Sequence, residues 1–224
     1  MNLLAIDTSS NACSVALQVG EAISENHVVE AREHTKILIP MIEELMREAN
    51  TSLSDLDAIV LGNGPGSFIG MRIGASVAQG LCHGAGINIV PVSSLAAIAA
   101  EVICERDAQS VLVAQDARMH EVYLGRFHAD DEGLPIADDE EKICEIEPLQ
   151  VPGKDYVAAG GGWSRYPELL AQNSDLVSAT VDVIYPRARY LVRLGSQAIQ
   201  AGLAIPPDAL VPAYLRSKVA EIPA

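Results

Sequence analysis

The chain has 224 residues, room for one large domain or two small ones. Hydrophobic residues make up 49%, enough for a sizeable core, which excludes a disordered chain. A formal net charge of −15 with 4% aromatic residues argues against direct, unaided binding of nucleic acid, whose phosphates need a basic footprint and whose bases need stacking platforms.

Taken in order, Leu3 to Ile6 reads as a buried strand closing on Asp7, and Thr8-Ser9-Ser10-Asn11 as a turn cluster. Cys13–Val19 alternates as a returning strand, and Gly20-Glu21 turns into a third, Ala22 to Glu30. The start lacks basic residues and meets Asp7 too early for a signal peptide, so none is expected. The most apolar long stretch, Val92 to Cys104, contains Glu101 and is too short to span a bilayer, so no membrane contact is expected. Cys13, Cys82, Cys104 and Cys144 form no CxxC pair and are read as reduced, mostly buried thiols of a cytoplasmic protein, not a metal site.

His34 to Ala49 carries a helical stripe of Ile37, Leu38, Met41, Ile42, Leu45 and Met46. Pro40 either starts the helix proper or kinks it. Ala58 to Leu61 is an apolar strand entering a glycine turn, Gly62-Asn63-Gly64-Pro65-Gly66, and Ser67 opens a helix to about His83. Backbone N–H groups converge at such a helix start and attract anions. The phosphate-loop patterns fail, however. No Gly-Lys pair exists, Ser67 holds the place of the third glycine of a dinucleotide fingerprint, and Pro65 and Ile69 break a nucleophile elbow. Gly66, Gly70 and Gly74 recur along one side of the helix, which predicts the close approach of another backbone. Apolar residues surround its whole circumference. The expectation is a helix covered on one side by its own sheet and on the other by a second protein.

Asn88 to Val92 is a short strand, and Ser93 or Ser94 caps an alanine-rich helix from Leu95 to about Cys104. The second half repeats the order. Ser110–Asp116 parallels Asn2–Asp7, Glu121–Phe127 the returning strand, and Tyr156–Gly162 the strand and glycine turn at Ala58–Gly64. Asp130-Asp131-Glu132-Gly133 is a hairpin turn, and a helix follows from Pro167 to Gln172. The acidic patches at 130–132 and 138–141 are read as solvated loops. Asp116 and Arg118 are placed in a turn after the strand. The five histidines form no HxxxH or HxH pair, and no Ser/His/Asp or Cys/His set can be assembled. Residues 1–106 and 107–224 are expected to form two related lobes, with the last helix, about 188–202, able to pack back on the first.

The run from Gly64 to Gly74 resembles the GPGSFTGLRIG signature of the bacterial TsaB (YeaZ) family. The resemblance extends to Ile6–Ser9, His34, Leu38–Pro40, Pro91–Leu95, Asp116–Arg118, Glu121–Tyr123 and Tyr214–Arg216. Ile69 and Met71 stand where the signature has Thr and Leu, so the helix start lacks a hydroxyl. The resemblance implies an actin-like ATPase (ribonuclease H-like) α/β fold of two lobes from an internal duplication, the second reduced. It also implies a non-catalytic subunit for threonylcarbamoyl transfer to the tRNA adenosine next to the anticodon. Its partners would be a TsaD-type catalytic paralogue and a TsaE-type ATPase, with a homodimer in their absence and tRNA met only through the complex. No cofactor is expected on this chain alone, though ATP or ADP has room at the joint interface. Aligned on TsaD, whose HxEGH stretch binds metal, the two histidine places fall on Ser94 and Ile98, neither of which ligates as an imidazole does.

The interface is assigned to Leu38, Met41, Leu45, Phe68, Met71, Arg72, Ala75 and Gln79, and a charge at Ala75 is expected to abolish association while leaving the monomer folded. Asp7, Thr8, Ser9, Gly64, Gly66 and Ser67 are the candidates for nucleotide or anion contact. A stand-alone ATP-dependent kinase or hydrolase on the same fold is the rival reading.

Overall fold

The computed structural model describes residues 1–30, 32–153 and 155–216. The first half forms a five-stranded sheet in the order β3-β2-β1-β4-β5, built from β1 (Asn2–Asp7), β2 (Ala12–Val19), β3 (Ala22–Val29), β4 (Ala58–Gly62) and β5 (Asn88–Val92). The β1–β2 and β2–β3 pairs are antiparallel hairpins, while β1–β4 and β4–β5 are parallel. The parallel pairs need crossovers, and α1 (His34–Glu48) and α2 (Phe68–Ala85) supply them. Pro40 lies inside α1, where its ring is exposed.

Period two sorts the strand residues to the two faces. Leu4, Ile6, Val15, Leu17, Ile59 and Leu61 face α1 and α2 in one core. Leu3, Ala5, Ala16, Ala58, Val60 and Val90 face the opposite way, onto α6 (Ala188–Gln200). The first sheet is therefore buried on both faces, which explains why β1 and β4 read as continuous apolar runs.

Between them the chain builds α3 (Ser94–Arg106), β6 (Ser110–Arg118), β7 (Glu121–Ala129), β8 (Pro135–Ala137), β9 (Lys142–Glu145), β10 (Tyr156–Ala159), α4 (Gly161–Arg165), α5 (Pro167–Gln172) and β11 (Val177–Thr180). The second sheet runs β11-β10-β6-β7-β8, with β9 also pairing to β7. Substituting β6 for β1, β7 for β2, β10 for β4 and β11 for β5 reproduces every strand sense of the first sheet. The two sheets are thus copies of one design, and the second is reduced, with three- and four-residue outer strands and helices of five and six residues. Helix α3 lies between the lobes. Leu95, Ile98 and Val102 pack on Val111, Val113 and Phe127 of the second sheet, and Ala97 joins the core around α6. The architecture is the actin-like ATPase, ribonuclease H-like fold. Residues 217–224, within the second lobe as bounded from the sequence, lie outside the described residues.

Local differences from the sequence reading have physical causes. Helix α3 runs to Arg106 because Asp107 adopts the left-handed conformation that closes it. Asp116 and Arg118 belong to the end of β6, and the turn falls on Met119 and His120, both at positive φ. The acidic patch at 138–141 is only partly a solvated loop. Asp139 accepts from Arg126 Nε at 3.2 Å, and Glu141 is drawn inward to the Ser93 hydroxyl. Of the four thiols only Cys13 and Cys82 are buried, while Cys104 is exposed.

The α2 glycines are explained within the chain. A Cβ at Gly66 would fall on the carbonyl of Ser9, one at Gly70 on the carbonyl of Thr8, and one at Gly74 on the Thr8 hydroxyl. The backbone that comes close is the chain's own β1–β2 turn, not that of a second protein. At Gly80, in the same helix, a Cβ would meet nothing. Gly70→Ala is therefore expected to destabilise the chain by about 3 kcal/mol or more through overpacking against backbone. Gly80→Ala should stabilise it by about 1 kcal/mol. Urea unfolding of the two variants measures both.

Candidate functional site

Three features meet at the start of α2: the β1–β2 turn beneath it, a groove on its outer side, and a cleft between the lobes. The turn is closed by its own hydrogen bonds. The Thr8 hydroxyl donates to the Gly70 carbonyl at 2.7 Å, and the Ser67 N–H donates to the Ser9 carbonyl at 2.6 Å. The Gly64 N–H donates to Ser94 Oγ at 3.1 Å, and the Gly70 N–H donates to Ser67 Oγ at 3.3 Å. Asp7 accepts from the Ser94 hydroxyl at 2.7 Å and from the N–H and hydroxyl of Ser9 at 2.9 and 2.8 Å. Asp7 and Thr8 are buried at 0% and 1% exposure.

This corrects part of the nucleotide and anion assignment. Asp7, Thr8 and Gly64 face their own chain, and the N–H groups of Gly64, Ser67 and Gly70 are spent on two hydroxyls and a carbonyl. Ser9, Gly66 and Ser67 reach the wall of the inter-lobe cleft. Burial pushes the Asp7 carboxyl up to about 6, against the opposing hydrogen bonds from Ser94 and Ser9. It also pushes the Cys13 thiol up to about 12, with the neighbouring Asp7 charge adding to the effect.

The cleft has a volume of about 840 Å³. One wall is Ser9–Asn11 with the α2 start; the other is the end of β6 with Gly161 and Arg165. These are the equivalent ends of the two duplicated sheets. Asp116 accepts from the Arg118 N–H at 2.8 Å and the Tyr166 hydroxyl at 2.9 Å, and pairs with the Arg118 guanidinium at 3.1 Å. Ser94 and Ile98, one turn apart on α3, also line it. Among the described residues no three His, Cys, Asp or Glu side chains converge as a metal-binding group, and no helix is long and apolar enough to cross a membrane.

The groove, about 400 Å³, lies between α1 and α2 on the side away from the sheet. Its lining is Thr35 and Ile39 from α1 with Ile69, Arg72, Ile73 and Val77 from α2, together with the edges of His34, Leu38 and Ser76. His34, buried at the start of α1, donates from Nε2 to the Ala12 carbonyl at 3.1 Å and so fixes that end of the helix on β2. Ile69 is 69% exposed and Ile39 40% exposed. The α2 positions 69, 72, 73, 76 and 77 follow i, i+3, i+4, i+7, i+8 spacing, one helical face.

The structure redistributes the interface residues assigned from sequence. Leu38, Met41, Leu45, Met71 and Ala75 belong to the chain's own core, at 6% exposure or less. They cannot serve as primary partner contacts, because their side chains already fill the space between helices and sheet. A charge at Ala75 would damage the fold and not only association. Phe68 and Arg72 are exposed, and the Gln79 side chain donates to the Pro207 carbonyl at 2.8 Å. Ile39, Ile69, Ile73 and Val77 line the groove and were absent from the sequence assignment. The signal was a second apolar stripe on α2, offset from the inward stripe of Met71, Gly74, Ala75, Ala78 and Cys82.

Comparison with known proteins agrees with this architecture. The class of protein is an actin-like ATPase fold of two lobes. A family model described as "TsaD: tRNA N6-adenosine threonylcarbamoyltransferase" matches residues 28–224. The chain is 35% identical to the tRNA threonylcarbamoyladenosine biosynthesis protein TsaB of Escherichia coli, covering 98% of this chain and 96% of that protein. It is 34% identical to the protein of the same name from Haemophilus influenzae, covering 98% and 95%. A solved structure of YeaZ from Pseudomonas aeruginosa superposes with a TM-score of 0.89 at 35% identity, covering 96% of this chain and 99% of that one. The chain belongs to the TsaB (YeaZ) family.

The Asp7 environment sets a pH dependence. A carboxyl raised in the folded state from 3.8 to about 6 holds its proton there while the unfolded chain has released it. Its contribution to stability is full below the unfolded value and is lost as pH rises through the folded one. Asp7→Asn removes the ionisation. The stability of the variant relative to the parent should therefore increase by about 2–3 kcal/mol between pH 4 and pH 7.5. Urea unfolding at the two pH values measures the change.

Proposed function

We propose that this chain is the non-catalytic subunit required for threonylcarbamoyl transfer to the tRNA adenosine next to the anticodon. It acts in the cytoplasm as docking partner and scaffold for a TsaD-type catalytic paralogue, which a TsaE-type ATPase joins. The observation that carries the reading is the solvent-facing apolar groove between α1 and α2. Two helices that leave Ile39 and Ile69 exposed and Ile73 and Val77 half-covered supply half of a helical bundle, and burial of such a patch drives association. A paralogue of the same fold, or a second copy of this chain, supplies the other half.

The chemistry of the Ser94 and Ile98 positions supports a subunit without catalysis of its own. A hydroxyl already bonded to Asp7 and an aliphatic side chain are a poor donor set for a transition metal. The closed β1–β2 turn weighs against the stand-alone kinase or hydrolase, which would need that turn open to phosphates. ATP or ADP, where it takes part, belongs to the assembled complex. The net charge of −15 supports tRNA contact only through the complex.

The test is a reconstitution of tRNA, threonine, bicarbonate and ATP with the adenylate-making enzyme, TsaD and TsaE, with and without this chain. Modified tRNA is expected only with it, and equal product without it overturns the reading. Ile69→Glu, on the exposed rim of the groove, should abolish co-elution with TsaD in gel filtration while leaving the circular dichroism of the free chain unchanged.

A further inference from the structure

The docking surface has a neighbour that the helix pair alone does not reveal. After α6 the chain returns across the first lobe. Ile205 exchanges backbone hydrogen bonds with Ile89, Leu210 buries itself in the α1/α2 core, and Asn63 holds the Val211 carbonyl at 3.0 Å and the Ala213 N–H at 3.2 Å. From there 211–216 runs as a strap over the mouth of the cleft. Arg216 closes the far end on the second lobe, donating to the Ala117 carbonyl at 3.0 Å and pairing with Glu121.

Midway, the strap grips one residue of the groove. The Arg72 guanidinium lies 3.6 Å from the Phe68 ring centroid, and its Nε donates to the Tyr214 hydroxyl at 3.0 Å. The Phe68 and Tyr214 rings are themselves 5.4 Å apart. Among the described residues Arg72 has no carboxylate within ion-pair distance. The Arg72 charge is thus held in place by two aromatic side chains and not by an acid of its own chain. The same Arg72 lines the apolar groove, and Ile69 lines both the groove and the cleft. Strap, cleft mouth and groove are one continuous surface.

We infer that the C-terminal strap forms the rim of the docking surface and that Tyr214, with Phe68, holds Arg72 ready for a carboxylate on the docked partner. The inference rests on the docking reading above and takes the same occupant, the TsaD-type paralogue, which must then carry an acidic residue beside its apolar helix face. A stacked guanidinium gives up less side-chain freedom on docking than a free one, so the aromatic clamp raises affinity without touching the partner's apolar contacts. Tyr214 is thus a positioning residue that acts through Arg72.

The experiment is calorimetric titration of the full chain with the purified TsaD-type paralogue, at low and high salt, for the parent, Arg72→Ala, Tyr214→Ala, the double variant and Ile69→Glu. Arg72→Ala is expected to weaken association about tenfold and to flatten its salt dependence, as loss of a charge pair does. Tyr214→Ala should weaken it about fivefold, and the double variant should be no weaker than Arg72→Ala alone, because both changes remove one interaction. If Arg72→Ala keeps the parent's affinity and salt dependence, or if the two losses simply add, while Ile69→Glu still abolishes binding, the strap inference is wrong and the groove stands. If Ile69→Glu stays folded and binds like the parent, the docking reading itself fails.

Discussion

The rest of the molecule depends on the seating of the Asp7–Ser9 turn against the glycine side of α2. Carbonyls of Thr8 and Ser9 lie where side chains at Gly70 and Gly66 would be, and this closeness lets the Thr8 hydroxyl and the Ser67 N–H make their bonds. Three consequences follow from one contact. The Ser67 N–H at the helix start is consumed, Asp7 is sealed from water, and the rotation of α2 about its axis is set. Once Gly66, Gly70 and Gly74 face the turn, Ile69 faces solvent and Ile73 and Val77 lie half-buried at the edge of the core.

The duplication explains what surrounds that contact. Both sheets place an acid at the end of their first strand, Asp7 and Asp116, and a glycine turn after the strand beside it. In the first lobe the acid is buried against Gly62 and the Ser94 hydroxyl of α3. In the second the corresponding helix is five residues long, and Asp116 stays at the cleft wall with Arg118 and Tyr166 as partners. The shorter copy cannot cover its acid, so the two lobes face the same cleft with different chemistry. The cleft is therefore asymmetric although the topology is not.

The groove and the strap belong together for the same reason. Helix α2 has an inner stripe fully used by its own sheet and an outer stripe only partly covered. The chain's end crosses the gap between the lobes and borrows Arg72 and Phe68 from that outer face. A partner seated on the groove therefore meets residues fastened to both lobes. This ties docking to the relative position of the lobes through side chains already in contact.

Much of this was legible in the sequence. Apolar runs ending on Asp7 and Asp116, the glycine turn and the repeated order of elements determined two α/β lobes, because strand and helix periods are local properties of the chain. The stretch from Gly64 to Gly74 was enough to mark α2 as the pivotal helix and to predict a close backbone. The acidic region at 138–141 was misread because Arg126 and Ser93, which draw its carboxyls in, are distant in sequence. Only the tertiary structure decided which backbone approaches α2 and which of its two apolar stripes is covered. A helix wheel shows that two apolar faces exist but carries no information about which one meets the sheet. That choice is made by Thr8 and Ser9, some sixty residues away, and it turned Met71 and Ala75 inward and left Ile69 exposed, with Ile73 and Val77 half-buried in the groove.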